Sequence, residues 1–278
     1  MYPPVDPIVF EIGPFALRWY GLLMVSAIFI GSSVASQYLG KKGEDPDDFW
    51  DMLVWVLIPA LLGARLYYVF IQSPRGPAGL EYYLAHPGSI FRIWEGGIHI
   101  FGAFIAGGIA VWLYTKVRNL PLWTYLDAIG LALPLSQAIG RWGNFINQEL
   151  YGPPTRLPWG LRIDSVHRIA PFNDLVTFPD STRFQPLFLY ESLWNFLGFA
   201  LIYWISRRFQ RQLQPGDLIF CYLLWYPLGR FGLEFLRTDS WFFPGTPFNV
   251  VHILCAIAIG AAGLVLYSRH GDNLRRSR

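Results

Sequence analysis

Apolar residues run along this chain in long blocks, with polar residues gathered between them. A helix that crosses a bilayer needs about 20 mostly apolar residues, and about seven stretches reach that length. They cover roughly 17–39, 49–71, 97–117, 122–139, 187–206, 217–236 and 250–268. The pattern predicts an all-α integral membrane protein, a bundle of about seven transmembrane helices forming a single domain. Residues 145–185 hold Pro, Asp and Thr but no such block. They are expected to form a small cap between the fourth and fifth helices, because connections this long are usually functional or folded in their own right. The opening stretch MYPPVDPIVFEIGPFALRWYG has early prolines and no basic segment before an apolar run. It reads as an irregular arm (residues 1–16), not a signal peptide. The small-residue run GAFIAGG at 102–108 is expected to let helices pack closely.

Composition agrees with a membrane class. Of the 278 residues, 53% are hydrophobic and only 15% charged, against about a quarter charged in soluble domains. The 12 Trp and 15 Tyr suit the two membrane–water interfaces, where a ring is half wet and half dry. Lysine and arginine set the orientation. Lys41, Lys42, Lys116, Arg118, Arg207, Arg208, Arg211 and the tail Arg269, Arg275, Arg276, Arg278 fall on one side. Arg75, Arg92, Arg237 and the arginines of 145–185 fall on the other, which has the longer loops. The first side is therefore expected to be cytoplasmic, with the N-terminus and the cap outside and residues 269–278 as a basic cytoplasmic tail. The net charge of +3 and the absence of long basic runs give no sign of nucleic acid. Cys221 and Cys255 lie in apolar stretches and read as packing residues. No His, Asp or Cys cluster has metal-ligand spacing, so neither metal nor cofactor is expected.

Against that background, some residues are out of place. Arg18, Arg65, Arg141 and Arg230 lie within or at the ends of the spans, accompanied by Glu149, Glu191 and Glu234. A charge at the bilayer centre costs at least ~2.5 kcal/mol, so such residues point to a partner, a ligand or a pathway. In CYLLWYPLGRFGLEFLRTDS, residues Tyr226, Arg230, Glu234 and Arg237 are spaced to share one helix face. Mutual neutralisation of Arg230 and Glu234 explains the pair but not the further arginine. In GRWGNFINQELYG (140–152), Arg141, Asn144 and Gln148 are also spaced for one face, and the glycines let backbone approach closely. A self-capping polar helix end is the plainer alternative. Glu191 and Asp127 read as complements to the first turns of their own helices. Tyr20 reads equally as an interface anchor or a site residue; His99 and His252 read as structural. Arginine's planar fork binds phosphate through two parallel hydrogen bonds and stays charged in a low dielectric. Several arginines converging in an apolar bundle therefore suggest an anionic lipid headgroup. A lipid transporter or a lipid-binding membrane protein would carry such charges too.

At GRWGNFINQELYG the sequence resembles the phosphatidylglycerol–prolipoprotein diacylglyceryl transferases of bacterial plasma membranes. The signature positions Gly140, Arg141, Gly143, Asn144, Phe145, Asn147, Glu149 and Gly152 all match. Further similarity lies in LRWYGL (17–22), GARLYYVF (63–70), FLYES (188–192) and the Arg230–Glu234–Arg237 stripe. The resemblance implies an inner-membrane enzyme with its N-terminus outside. It moves the diacylglyceryl group of phosphatidylglycerol to the lipobox cysteine of a preprolipoprotein signal peptide, releasing glycerol-1-phosphate. On that reading Arg141 and Arg230 hold the leaving phosphate, with Glu234 and Glu149 orienting the two guanidiniums. Tyr20, Asn144, Asn147, Gly152, Tyr226 and Arg237 join Glu149 in binding substrate. Some members carry a third-span histidine proposed as general base. In GGIHIFGAF that position is Phe101, and His99 lies about 200° away around a helix. If a protein base is used, Glu234 is the first candidate and His99 the second.

Overall fold

The computed structural model describes residues 1–3, 6–13, 15–72, 79–93, 96–243 and 245–276. Among them are eight α-helices: α1 (Trp19–Lys42), α2 (Pro46–Tyr67), α3 (Leu80–Ala85), α4 (Ile100–Val117), α5 (Leu122–Ile146), α6 (Leu187–Arg208), α7 (Asp217–Glu234) and α8 (Val250–Arg276). Four short strands accompany them: β1 (Ile8–Ile12), β2 (Phe15–Arg18), β3 (Leu161–Arg162) and β4 (Arg183–Phe184). Five stretches are long and apolar enough to cross a membrane: Trp19–Lys42, Pro46–Ile71, Ile100–Val117, Leu187–Arg208 and Val250–Gly271. Val25, Phe29, Trp55, Ile58, Ile105, Ile257 and Leu264 on these helices are exposed, which suits hydrocarbon and not water. The fold is a multi-pass α-helical membrane bundle. Helices α5 and α7 fall below the same measure of apolarity. One carries Asp127, Gln137, Arg141 and Asn144, the other Asp217, Arg230 and Glu234.

The chain groups into two compact units, residues 36–125 and residues 1–35 with 126–278. In the first, α2 and α4 touch backbone to backbone. A Cβ on Gly102 would lie 2.1 Å from the Gly63 carbonyl oxygen, so both positions exclude any side chain, and Gly107 faces Ala60. Arg65 is buried and donates to the carbonyls of Ser89, Ile90, Gly96 and Gly97 at 2.6–2.8 Å. It folds the segment that leads into α4. His99 caps α4 through Nδ1, which accepts the Phe101 N–H at 3.4 Å, and stacks on Tyr67.

In the second unit, the opening arm is not irregular as expected. β1 and β2 form an antiparallel hairpin, since IVFEI and FALR are strand-forming and Gly13 supplies a left-handed turn position at φ +59°. Within residues 145–185, Phe145, Tyr151, Leu161, Ile163, Phe172 and Phe184 form a hydrophobic core together with Phe188 of α6. β3 pairs with β4 across it. Asp127 does not serve its own helix. Its carboxylate accepts the N–H groups of Gly216, Leu218 and Ile219, capping the start of α7. Helices α6 and α7 interlock through Trp194 and Trp225, stacked at 4.3 Å, each indole donating to the other's backbone carbonyl. Gly229 and Gly198 leave the space those rings fill. Of the charges that set the expected orientation, Arg75 and Arg278 lie outside the described residues.

Candidate active site

The polar residues of α5, α6 and α7 meet in the second unit. Helix α5 continues seven residues past the expected end of the fourth span, so Arg141 and Asn144 are helical. Their partners come from elsewhere. Arg141 Nε sits 2.5 Å from Glu191 Oε2 on α6. Arg141 Nη1 donates to Asn144 Oδ1 at 3.3 Å, and Asn144 Nδ2 donates to Glu149 Oε1 at 2.8 Å. Asn147 Nδ2 reaches the same oxygen at 3.5 Å. Glu149 thus holds the two asparagines, while Glu191 holds Arg141. Although one edge is paired, 23% of the Arg141 side chain stays accessible, so the site retains room beside it.

On α7, Arg230 Nη2 lies 2.6 Å from Glu234 Oε2, an ion pair without good hydrogen-bond alignment. Arg230 Nη1 is buried and has no hydrogen-bond partner among the described residues. A buried donor left unpaired costs about 1–3 kcal/mol, more when charged. Arg237 follows the last turn of α7. It donates to Asp239 through Nε and Nη2 at 2.8 and 2.6 Å, and its Nη1 lies 3.8 Å from Glu191 Oε1. Glu191 therefore bridges Arg141 and Arg237. Tyr226 lies one turn before Arg230, stacked on Tyr222, whose hydroxyl accepts from Gln137 at 2.8 Å. The phenol of Tyr20 is within electrostatic reach of Glu149 and Arg141. Its ring lies on Gly143, where a Cβ would come within 2.5 Å. Gly143→Ala is thus expected to push Tyr20 off α5 and lower substrate turnover with little loss of folded protein; kinetics on the purified variant would check this.

The backbone reverses sharply after α5. Gln148 and Leu150 adopt left-handed φ of +54° and +55°, a strained arrangement of the kind that collects at functional sites. This takes Gln148 off the Arg141 face where the spacing had put it. Its amide instead grips Asp164, Nε2 donating to Oδ2 at 2.7 Å and Oε1 accepting the Asp164 N–H at 2.8 Å. That hydrogen bond holds the Asp164 carboxyl below its ordinary range. Gly152 donates to the Gln185 carbonyl at 2.9 Å and packs against Leu236, where a Cβ would be 3.0 Å from the carbonyl oxygen.

A family model described as Prolipoprotein diacylglyceryl transferase matches residues 7–268. The chain belongs to this family. Proteins named Phosphatidylglycerol–prolipoprotein diacylglyceryl transferase are similar throughout. The one from Chloroflexus aggregans is 39% identical, covering 97% of this chain and 92% of its own length. That from Nostoc sp. is 43% identical over the same shares, and that from Lactiplantibacillus plantarum is 37% identical over 96% and 90%.

Two residues of this polar cluster were not assigned to it from the sequence. Glu191 looked like a helix-end complement, yet it is buried and joins two arginines. The available signals were its standing as a charge at the end of a span and its place in FLYES. Asn249 is buried beside Glu234 and had no signal beyond its place before the last apolar block. The second unit contains neither His99 nor Phe101.

Proposed function

We propose that Arg141 and Arg230 bind the phosphate of phosphatidylglycerol and stabilise it as it leaves, while the lipobox cysteine of a preprolipoprotein attacks the adjoining glyceryl carbon. The activity is that of the family, diacylglyceryl transfer to a preprolipoprotein. The observation that carries the residue assignment is the buried Nη1 of Arg230, without a hydrogen-bond partner among the described residues, whose guanidinium shares with Arg141 an electrostatic neighbour in Tyr226. An anionic oxygen satisfies that donor.

The thiolate is the nucleophile, since the thiol is the poor form. Nearby guanidiniums lower a thiol's pKa from about 8.5 and so favour it. The sulfur–carbon bond forms as the carbon–oxygen bond to phosphate breaks. The electron pair leaves with glycerol-1-phosphate, and the thiol proton passes to solvent or to the departing phosphate. Charge grows on the phosphate oxygens in the transition state, where fixed guanidiniums act most strongly. Glu191 and Glu234 aim the two forks. Glu234 is engaged by Arg230 and by Asn249 Nδ2 at 2.9 Å, which suits a fixed anion better than a proton acceptor. Asn144, Asn147, Glu149, Tyr20 and Tyr226 receive the headgroup hydroxyls. Gly152 brings the cap's backbone against the end of α7, and Arg237 shares Glu191 with Arg141. Helices α1, α2, α4, α5, α6, α7 and α8 are the seven spans of a bacterial inner-membrane protein, N-terminus outside and C-terminus cytoplasmic, with residues 145–185 as the external cap. The basic residues at the ends of α1 and α6 support that orientation.

The test uses membranes containing the protein, phosphatidylglycerol labelled in its diacylglyceryl part, and a synthetic lipobox peptide. Label is expected to reach the cysteine peptide with release of glycerol phosphate, and not a Cys→Ser peptide. Silence of well-folded protein would leave lipid transport or simple lipid binding as the better account.

A further inference from the structure

We infer that Asn249 is a positioning residue for the transfer step: it holds the Glu234 carboxylate, and through it the Arg230 guanidinium, in the orientation that meets phosphate. This rests on the role proposed for Arg230. Asn249 is buried immediately before α8 and works at both ends of its amide. Oδ1 accepts the N–H groups of Val251 at 2.8 Å and His252 at 3.2 Å, capping the helix. Nδ2 donates to Glu234 Oε1 at 2.9 Å. The amide has only one sensible orientation, because the reverse would set NH₂ against two N–H donors and a carbonyl oxygen against a carboxylate.

The first turn of α8 is itself fastened to the last turns of α7. His252 Nε2 lies 3.1 Å from the Phe231 carbonyl oxygen, and its ring packs between Phe231 and Phe235 at 4.5 and 4.4 Å. The Val250 N–H donates to the Trp241 carbonyl at 2.9 Å, and Phe242 bridges Asn249. Asn249 is therefore a fixed donor on a fixed helix end. Glu234 has its other oxygen on Arg230 and is almost wholly buried. Asn249 fixes one carboxylate oxygen from the start of α8 and the other lies against Arg230 on α7, so the Asn249 hydrogen bond sets the face that Glu234 turns to the guanidinium. Among the described residues, the charged and titratable groups around this carboxylate are Arg230 on α7, Arg237 beyond its end, His252 and Cys255 on α8, and, across Arg237, Asp239 and Glu191 of α6.

A mere helix cap and a positioning residue respond differently to Asn249→Asp. Aspartate caps as well as asparagine, so the fold survives, but a carboxylate replaces the donor that faces Glu234. The full-length protein in lipid nanodiscs is expected to stay folded, with a lower melting temperature at neutral pH where two carboxylates face each other, and to keep its KM for the lipobox peptide. Its kcat at neutral pH should fall about 10-fold or more, as when a hydrogen bond to a charged group is lost. The loss should shrink as pH is lowered, because two facing carboxylates then share a proton. Asn249→Ser keeps a cap without the reach; its kcat should fall without that pH dependence. Wild-type kcat and pH profile in both variants would overturn the inference, as would lower stability with unchanged rate per folded molecule. Arg230→Lys run alongside separates the two readings. Full activity there refutes the role of Arg230; loss there with wild-type behaviour of Asn249→Asp refutes only the role of Asn249.

Discussion

Arg230→Lys is expected to lower diacylglyceryl transfer by about 100-fold or more while the protein still inserts and folds. The substitution keeps the positive charge and the pairing with Glu234, so a purely structural ion pair would survive it. What disappears is the planar fork. Arginine presents parallel donors to a phosphate, whereas lysine offers one compact, strongly hydrated ammonium on a flexible stem. Arg230 spends Nη2 on Glu234 and leaves Nη1 buried and unpaired. Lysine can serve one of those directions but not both. Removal of a single donor aimed at developing anionic charge typically costs 10²–10³ in turnover. Transfer kinetics with the variant in membranes, with folded protein quantified alongside, measure the effect directly. Full activity would remove Arg230 from phosphate recognition.

Glu191→Gln should show the second large effect, and in two readouts together. Glu191 is buried and lies between Arg141 and Arg237. Neutralising it leaves two guanidiniums without their shared anion. Breaking a buried ion pair from one side usually costs about 3–5 kcal/mol, because the remaining charge is uncompensated. Here the cost falls chiefly on Arg141. Arg237 keeps Asp239 at 2.6 Å, whereas among the described residues Arg141 keeps only the neutral Asn144 at 3.3 Å. A lowered melting temperature with a steep loss of turnover is expected. Because Glu191 acts through Arg141, the double variant Glu191→Gln/Arg141→Lys should turn over no more slowly than Arg141→Lys alone. Multiplying losses would mean that Glu191 acts independently of Arg141.

Local periodicity made the α7 face readable. Tyr226, Arg230 and Glu234 follow each other at helical spacing and Arg230 lies against Glu234, but α7 ends at Glu234, so Arg237 is not on that helix face and approaches the cluster through Glu191. Arg141 was readable as a residue out of place, but not its partner. Glu191 comes from another helix some 50 positions away, and no spacing rule links residues across a loop that long. The same holds for Asp127, which caps α7, and for Asn249, which reaches back to Glu234. Gln148 failed for a local reason: the helix ends at Ile146 and left-handed residues turn it toward Asp164. Arg65 looked like a site charge because burial of arginine signals function; four backbone carbonyls absorb it instead. The hairpin of the opening arm was hidden by prolines that suggested irregularity.

The measurement that bears most directly on the central claim uses a phosphatidylglycerol analogue whose headgroup glycerol carries electron-withdrawing fluorine. The phosphate that leaves is then less basic, a better leaving group that needs less help as its bond to carbon breaks. If Arg141 and Arg230 stabilise the departing phosphate, the deficits of Arg141→Lys and Arg230→Lys shrink markedly with this lipid relative to the natural one. Deficits of equal size with both lipids would contradict the account and limit the two arginines to binding or to structure.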